Sequence, residues 1–213
     1  MSRSSSVCAV ILAAGASTRM GRDKALLPWP PVSPETQSAG PTFLSAAIHS
    51  LSAYSDMVIV VAGHNEAAIA PVIYAHGAVL LRNPDPDRGQ FSSLQVGLHG
   101  VLNRGRDAAI VTLVDRPPAA STTLEKLREV FLAAPRETWA VVPDYAGKHG
   151  HPFLIGRELM DVLLKAPVTA TAREVEHEHQ QHIAYVAVDD PLVTLNVDTP
   201  EDYAALRDPA KTT

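Results

Sequence analysis

"VCAVILAAGASTRMGRDK" (Val7–Lys24) decides how the rest of the chain is read. Its first eight residues are apolar and rich in β-branched side chains, the pattern of a strand buried on both faces. The character then changes abruptly. Gly15 and Gly21 permit a tight, exposed backbone, and Arg19, Arg22 and Lys24 bring three positive charges within six positions. A strand feeding such a loop presents backbone N–H groups and cations to an anion, as a polyphosphate cradle does. The spacing is not that of a Walker P-loop, because five residues separate the glycines and Ala25 follows Lys24. Nor are the glycines close enough for a dinucleotide fingerprint. A plain surface turn is the alternative reading.

Outward from this stretch, short apolar runs alternate with helix-length segments. "MVIVVA" (57–62), "AVLLRN" (78–83), "DAAIVTLV" (107–114) and "WAVVP" (139–143) read as further strands, with "HPFLI" and "IAYVAV" as later ones. Between them, "TFLSAAIHSLSAY" has helical spacing behind Thr42 as N-cap, "SSLQVGLHGVL" a helix opened at Ser92, and "STTLEKLREVFLAA" one capped by Ser121. "HNEAAIAPVIYAH" carries Pro71, which is expected to kink or break its helix. "RELMDVLLK" and "TAREVEHEHQQH" are the last candidates before a helix begun by Thr199 and Pro200. Strands alternating with helices predict an α/β fold: one Rossmann-like domain with a mostly parallel sheet and helices on both faces. The domain is expected over 7–207, with a disordered tail at 1–6 and a C-terminal tail at 208–213. The proline-rich "PWPPVSPETQSAGP" (28–41) reads as a surface loop or lid.

Composition narrows the function. At 213 residues, with 46% hydrophobic and 19% charged side chains, the chain supports one well-buried core. A net charge of -5 argues against nucleic acid or a membrane surface as partner. No apolar run is long enough to span a bilayer. The lone Cys8, inside an apolar run, reads as a core thiol in a reducing, cytoplasmic setting.

In open α/β sheets the ligand sits beyond the carboxyl ends of the strands, so the loops there carry the chemistry. "LVDRPP" puts Asp115 at such an end, where a hard oxygen ligand suits Mg²⁺ between phosphates; capping the next helix or pairing with Arg116 are the alternatives. "LNVDTPEDY" places Asn196 and Asp198 two apart, on one face of an extended run, although capping alone accounts for Asp198 or Thr199. "NPDPDRGQFSSLQVGL", from Asn83, sets Ser92 and Ser93 at a helix N-terminus, to meet a base or ribose or simply to cap. "DYAGKHGHPF" supplies Gly147, Gly150 and His151 in a loop with polar donors, or in an ordinary turn.

Together these segments resemble the MobA/MocA-like nucleotidyltransferases, most closely the molybdopterin cytidylyltransferase-like group, over about Val7 to Leu206. "LAAGASTRMGRDK" resembles the family's LAAG-x-S-x-R-M-G-x-x-K signature, "LVDRPP" its metal-aspartate loop, "GHP" its acceptor-side loop and "NVDTPEDY" its terminal motif. The resemblance implies a fold of the nucleotide-diphospho-sugar transferase type and Mg²⁺-dependent transfer of a nucleoside monophosphate to a phosphorylated small molecule, molybdopterin by default. It implies nucleotide binding by Leu12, Ala13, Ala14, Gly15, Ala16, Ser17, Asn83, Ser92 and Ser93. Arg19 would lie on the β- and γ-phosphates, Lys24 near the α-phosphate and Asp115 on the metal, joined by Asn196 or Asp198. Gly150, His151 and Pro152 would face the acceptor, and a transient contact with a cofactor-accepting enzyme is implied. Ala14 favours CTP, since the guanylyltransferase branch more often carries glycine there. Gln90–Phe91 and "VTATAREV" depart from the group's pattern, which leaves the acceptor open; guanylyl or uridylyl transfer to another acceptor, such as a sugar phosphate, is the alternative.

Rival classes fit less well. A short-chain dehydrogenase needs Tyr-x-x-x-Lys, and no tyrosine has lysine four residues on. A non-catalytic nucleotide-binding module would be expected to lose Asp115 or Lys24, and both are present. In "EVEHEHQQH", Glu174 with His177, or Glu178 with His182, share a helix face without a third metal ligand. A serine hydrolase lacks Gly-x-Ser-x-Gly.

Overall fold

The computed structural model describes residues 6–32, 40–167 and 169–207. Its centre is β1 (Cys8–Leu12), all five residues buried, with β2 (Met57–Ala62) and β4 (Ala108–Leu113) parallel on either side. β3 (Val79–Arg82) continues in parallel beyond β2. Beyond β4 comes β7 (Phe153–Gly156), antiparallel, then β5 (Ala140–Tyr145), antiparallel to β7 and so parallel to β4. β8 (Ile183–Ala187) runs parallel to β5. β6 (Lys148–His149), which the sequence pattern did not announce, is a short hairpin return from β5 through Ala146 and Gly147, both with positive φ.

Side chains of β1 alternate between two cores, as a strand's twofold period requires. Ala9 and Ile11 pack with α1 (Phe43–Ser52), α2 (Glu66–Ala75) and α4 (Ser121–Ala133). Cys8, Val10 and Leu12 pack with α3 (Gln90–Leu102), α5 (Arg157–Lys165) and α6 (Ala172–Glu178). Helices thus cover both faces, as expected. The Cys8 thiol is pushed up to about 11, by burial above all, which keeps it an inert core group.

A third, smaller cluster positions the site. Met20 and Leu27, from the loop after β1, pack with Phe43 at the start of α1 and with Val197 and Tyr203. Tyr203 lies on α7 (Pro200–Ala205), whose N-cap is Thr199, in a reciprocal capping box with Asp202. The two ends of the chain's site-bearing segments are therefore held together by apolar contact.

Several local expectations are corrected. α2 continues through Pro71 as one helix, so of the expected kink or break the break is excluded; its partners Ile69 and Ile73 are fully buried and carry it across the lost backbone bond. α3 begins at Gln90 rather than Ser92, with Gly89 as its cap at φ 91. Ser121 is the first helical residue of α4 and not its cap; Ala120 N and Thr123 Oγ1 instead donate to buried Asp190 at 2.8 and 2.9 Å. α6 ends at Glu178 and His182 falls in a separate 3-10 turn, so those two do not share an α-helical face. Glu174 is occupied as the capping partner of Thr171, and among the described residues no cluster of three or more His, Cys, Asp or Glu is suited to a metal.

The base of the proline-rich loop is closed by a Pro28–Thr42 bridge and by Trp29 N donating to Pro41 O, while residues 33–39 lie outside the described residues. The expected tails fall mostly outside them too; Ser6 is described, and its hydroxyl donates to Asp56.

Candidate functional site

The loop after β1 is pinned from three sides. Its tight turns fall at Ser17, with φ 50, and Gly21, with φ 71, so Gly15 is not the turn-maker. A Cβ at Gly15 would meet no protein atom and would stand in open space. Ser17 Oγ accepts from Lys24 N at 3.2 Å, closing the loop on itself, and Asp23 caps the following 3-10 turn through Ala25 N. Asn65, just past β2, donates to Ala13 O at 2.9 Å and to Asp23 Oδ2 at 2.7 Å while accepting from Gly63 N. Gly63 has no room for a side chain, since a Cβ would stand 2.7 Å from Ala14 O. Neither residue was legible as part of the loop, because both act across 40 or more positions of sequence; the "AGHN" run at the carboxyl end of β2 was their only trace.

Lys24 is buried, and its ammonium donates to Asp198 Oδ1 at 2.7 Å and Asp115 Oδ2 at 3.3 Å. Arg19 reaches the same Asp198 oxygen at 3.1 Å, and Asn196 Nδ2 donates to Asp198 Oδ2 at 2.6 Å. Five side chains from three distant segments thus form one cluster. The Lys24 hydrogen bond, helped by the Lys24 and Arg19 charges, holds the Asp198 carboxyl below the usual range against the effect of burial. Backbone bonds fix the frame: Val114 N donates to Leu12 O and Val197 N to Asp115 O. The Asp115 alternatives are thereby resolved. It caps no helix and makes no contact ion pair with Arg116, whose Nη1 donates to Thr194 O and Leu195 O instead, although the two charges attract each other at longer range. Asp115 Oδ1 is buried without a hydrogen-bond partner. Thr199, and not Asp198, is the cap of α7.

A cleft of about 330 Å³ runs from this cluster to the loop after β3. At one end lie Ala14, Gly15, Ala16 and Ser17 with Lys24 and Asp115; at the other lie Asp87, Gln90 and Ser93. Asn83 and Ser92 stand behind its wall. Asn83 Nδ2 donates to both Ser92 Oγ and Ser93 Oγ, at 2.8 and 2.9 Å, and Ser92 Oγ donates to Gly89 O. Ser92 and Ser93 are therefore the third and fourth residues of α3, not its cap, and of the two only Ser93 lines the cleft. Ala13 is buried in the core, whereas Leu12 borders the cleft.

A larger chamber of about 640 Å³ adjoins it and shares Leu12, Gly89, Gln90 and Leu113 with it. Phe91, Leu94, Val111 and Phe153 give it apolar walls; Arg116 and His151 line it too, as do Thr169–Arg173 and Glu176. Burial first, and the Arg116 charge second, lower the His151 imidazole to about 3, so it is neutral at physiological pH. Burial raises the Glu176 carboxyl. The loop bearing His151 is pinned: His151 N donates to Val193 O at 2.8 Å, and a Cβ on Gly150 would stand 2.3 Å from that oxygen. Of Gly150, His151 and Pro152, only His151 lines the chamber.

The MobA-like NTP transferase domain family matches residues 9–183. The chain belongs to that family. The molybdenum cofactor cytidylyltransferase of Escherichia coli is 24% identical over 208 residues, 96% of this chain and 97% of the relative. A probable molybdenum cofactor guanylyltransferase of Rhodopirellula baltica is 30% identical over 128 residues, 60% of this chain and 57% of its own. Among solved structures, Rv0371c of Mycobacterium tuberculosis is similar with a TM-score of 0.75 and 28% identity, covering 94% of this chain and 97% of that one. A second structure of Rv0371c is a complex with manganese. A nucleotidyl transferase from Methanothermobacter has a TM-score of 0.76 at 24% identity, over 96% and 97% of the two chains. This MobA-like domain is accordingly a nucleotidyltransferase, and the expected family, fold and reaction class stand.

Proposed function

We propose that this MobA-like domain transfers CMP from CTP to a phosphate-bearing small molecule, with molybdopterin as the first candidate, and releases pyrophosphate. The observation that carries the reading is the Lys24 ammonium clamped between Asp115 and Asp198 where the glycine loop meets the cleft. The family match and the full-length likeness to the Escherichia coli cytidylyltransferase support it. Ala14 supports CTP over GTP.

Transfer joins an acceptor phosphate oxygen to the α-phosphorus and expels pyrophosphate, so negative charge gathers at the attacking, equatorial and leaving oxygens. The backbone N–H groups around Ala14–Ser17 meet that charge without reorganising, and Arg19 and Lys24 add positive charge. A phosphate acceptor is nucleophilic at neutral pH without deprotonation, so no general base is required.

A divalent cation fits the donors present. Asp115 carries a buried oxygen without a partner, and Asp115 and Asp198 approach closely enough to share one ammonium. Mg²⁺ characteristically takes one or two carboxylates and completes its shell with water and phosphate, a demand that the Asp115 and Asp198 pair can meet. Asp115 would hold the ion with Asp198, and Asn196 would orient Asp198 through its hydrogen bond. When bound, the ion supplies charge neutralisation at the phosphates. The manganese complex of Rv0371c supports a divalent metal in general. The chamber holding His151 would take the acceptor. A reducing cytoplasmic setting agrees with the single buried thiol and with the absence, among the described residues, of a helix long and apolar enough to cross a membrane.

The test is binding of CTP, GTP, UTP and ATP with Mg²⁺, read by thermal shift. The proposal expects the largest stabilisation with CTP; a larger one with GTP would overturn the base assignment, and none with any nucleotide would overturn the reaction.

A further inference from the structure

Asp115 and Arg116 are neighbours in the chain yet line different cavities, the cleft and the chamber respectively. We propose that Arg116 is the anion-binding residue of the chamber and holds the acceptor's phosphate beside Asp115. This rests on the nucleotidyl-transfer reading above.

The guanidinium is fixed before any ligand arrives, its Nη1 donating to Thr194 O at 3.1 Å and Leu195 O at 2.9 Å. The Asp115 and Asp198 carboxylates attract its charge from a distance, but among the described residues no carboxylate lies within ion-pair distance of Arg116, and its Nε is buried without a hydrogen-bond partner. Exposed Arg19 and Arg157, by contrast, both have aspartate partners. A guanidinium partly withdrawn from water with no anion in direct contact costs free energy that a bound anion recovers. Its planar fork matches phosphate geometry. The chamber's other charged groups agree in sign, since Arg88 and Arg173 join Arg116 against the single acid Glu176. His151 shares the lining but is uncharged, leaving the charge to arginine. The apolar walls of Phe91, Leu94 and Phe153 then face the remainder of the acceptor, which suits a phosphate monoester on an apolar or ring-bearing body.

The competing role is a tether that merely ties Thr194 and Leu195 to the Asp115 loop. The experiment loads the full chain with Mg²⁺ and a CTP analogue carrying methylene between the α- and β-phosphorus atoms, then titrates phenyl phosphate. Wild-type protein is expected to bind both. Arg116→Gln, which retains a donor for the carbonyls, is expected to weaken phenyl phosphate roughly 10- to 100-fold, the loss of a charge-assisted hydrogen bond, and to leave the analogue's affinity unchanged. Equal phenyl phosphate affinity in both proteins overturns the proposal, as does a parallel loss of analogue affinity. A readout independent of the variant's fold is the wild-type arginine Nε–H spectrum: phenyl phosphate must move the resonance missing from Arg116→Lys, and an unmoved resonance overturns the proposal. Failure of wild-type protein to take up the analogue would instead contradict the nucleotidyl-transfer reading.

Discussion

At the residue scale, Lys24 concentrates the account in one ammonium. It is buried, it bridges Asp115 and Asp198, and its backbone N–H closes the loop through Ser17. Replacing it with methionine retains much of the stem's packing and removes the charge. The expected result is a loss of roughly 10²- to 10³-fold in kcat, the scale of a lost electrostatic stabiliser, with the same far-ultraviolet circular dichroism as wild type. Gly63 tests the loop's shape instead of its charge. Gly63→Ala forces a methyl against Ala14 O, 2.7 Å from its ideal position. Overpacking of this kind costs roughly 1–3 kcal/mol. The nucleotide KM should rise while the wild-type metal dependence persists, which steady-state kinetics at varied CTP would record.

At the element scale, strands were the most legible part of the chain. Continuous apolar runs such as "MVIVVA" became β2 without adjustment of a residue, because a strand buried on both faces leaves no room for polar interruption. Strand direction was less legible: nothing within "HPFLI" records that β7 runs antiparallel to β4. Helix starts were missed where the cap came from elsewhere. The N-cap of α4, Ala120, has no side-chain cap of its own, and the start of the helix is tied instead to Asp190, 70 positions away, whose carboxylate also accepts from Leu192 N. Asp190→Ala removes the acceptor of the buried Thr123 hydroxyl and of the part-buried Ala120 and Leu192 N–H groups and is expected to destabilise the protein by about 2 kcal/mol, measured by urea unfolding. Asp190→Asn, which keeps an acceptor oxygen, should recover part of that loss.

Across the whole molecule, the sheet gathers segments that the sequence separates by more than 170 positions. Lys24 meets Asp198 because Met20, Leu27, Val197 and Tyr203 share one apolar cluster. The charged residues of the site were legible as motif members; the supports Asn65, Gly63 and Arg116 were not, since their partners are set by tertiary contact alone. The pH dependence of stability also belongs to this scale. His151 is neutral in the fold, with a pKa near 3 against 6.5 unfolded, so between those values the unfolded chain binds the extra proton. Stability is therefore complete above about pH 6.5 and falls as pH drops toward 3, by at most about 1.4 kcal/mol per unit. His151→Asn should flatten the decline in melting temperature between pH 6.5 and 4.5.

The most direct test of nucleotidyl transfer at the Lys24–Asp115–Asp198 cluster is pyrophosphate release from CTP with Mg²⁺ and molybdopterin, in wild-type and Asp115→Ala proteins. Release by wild type that depends on Mg²⁺ and on the acceptor, and is abolished in the folded variant, is the predicted result. An Asp115→Ala protein that turns over with unchanged metal dependence would contradict it.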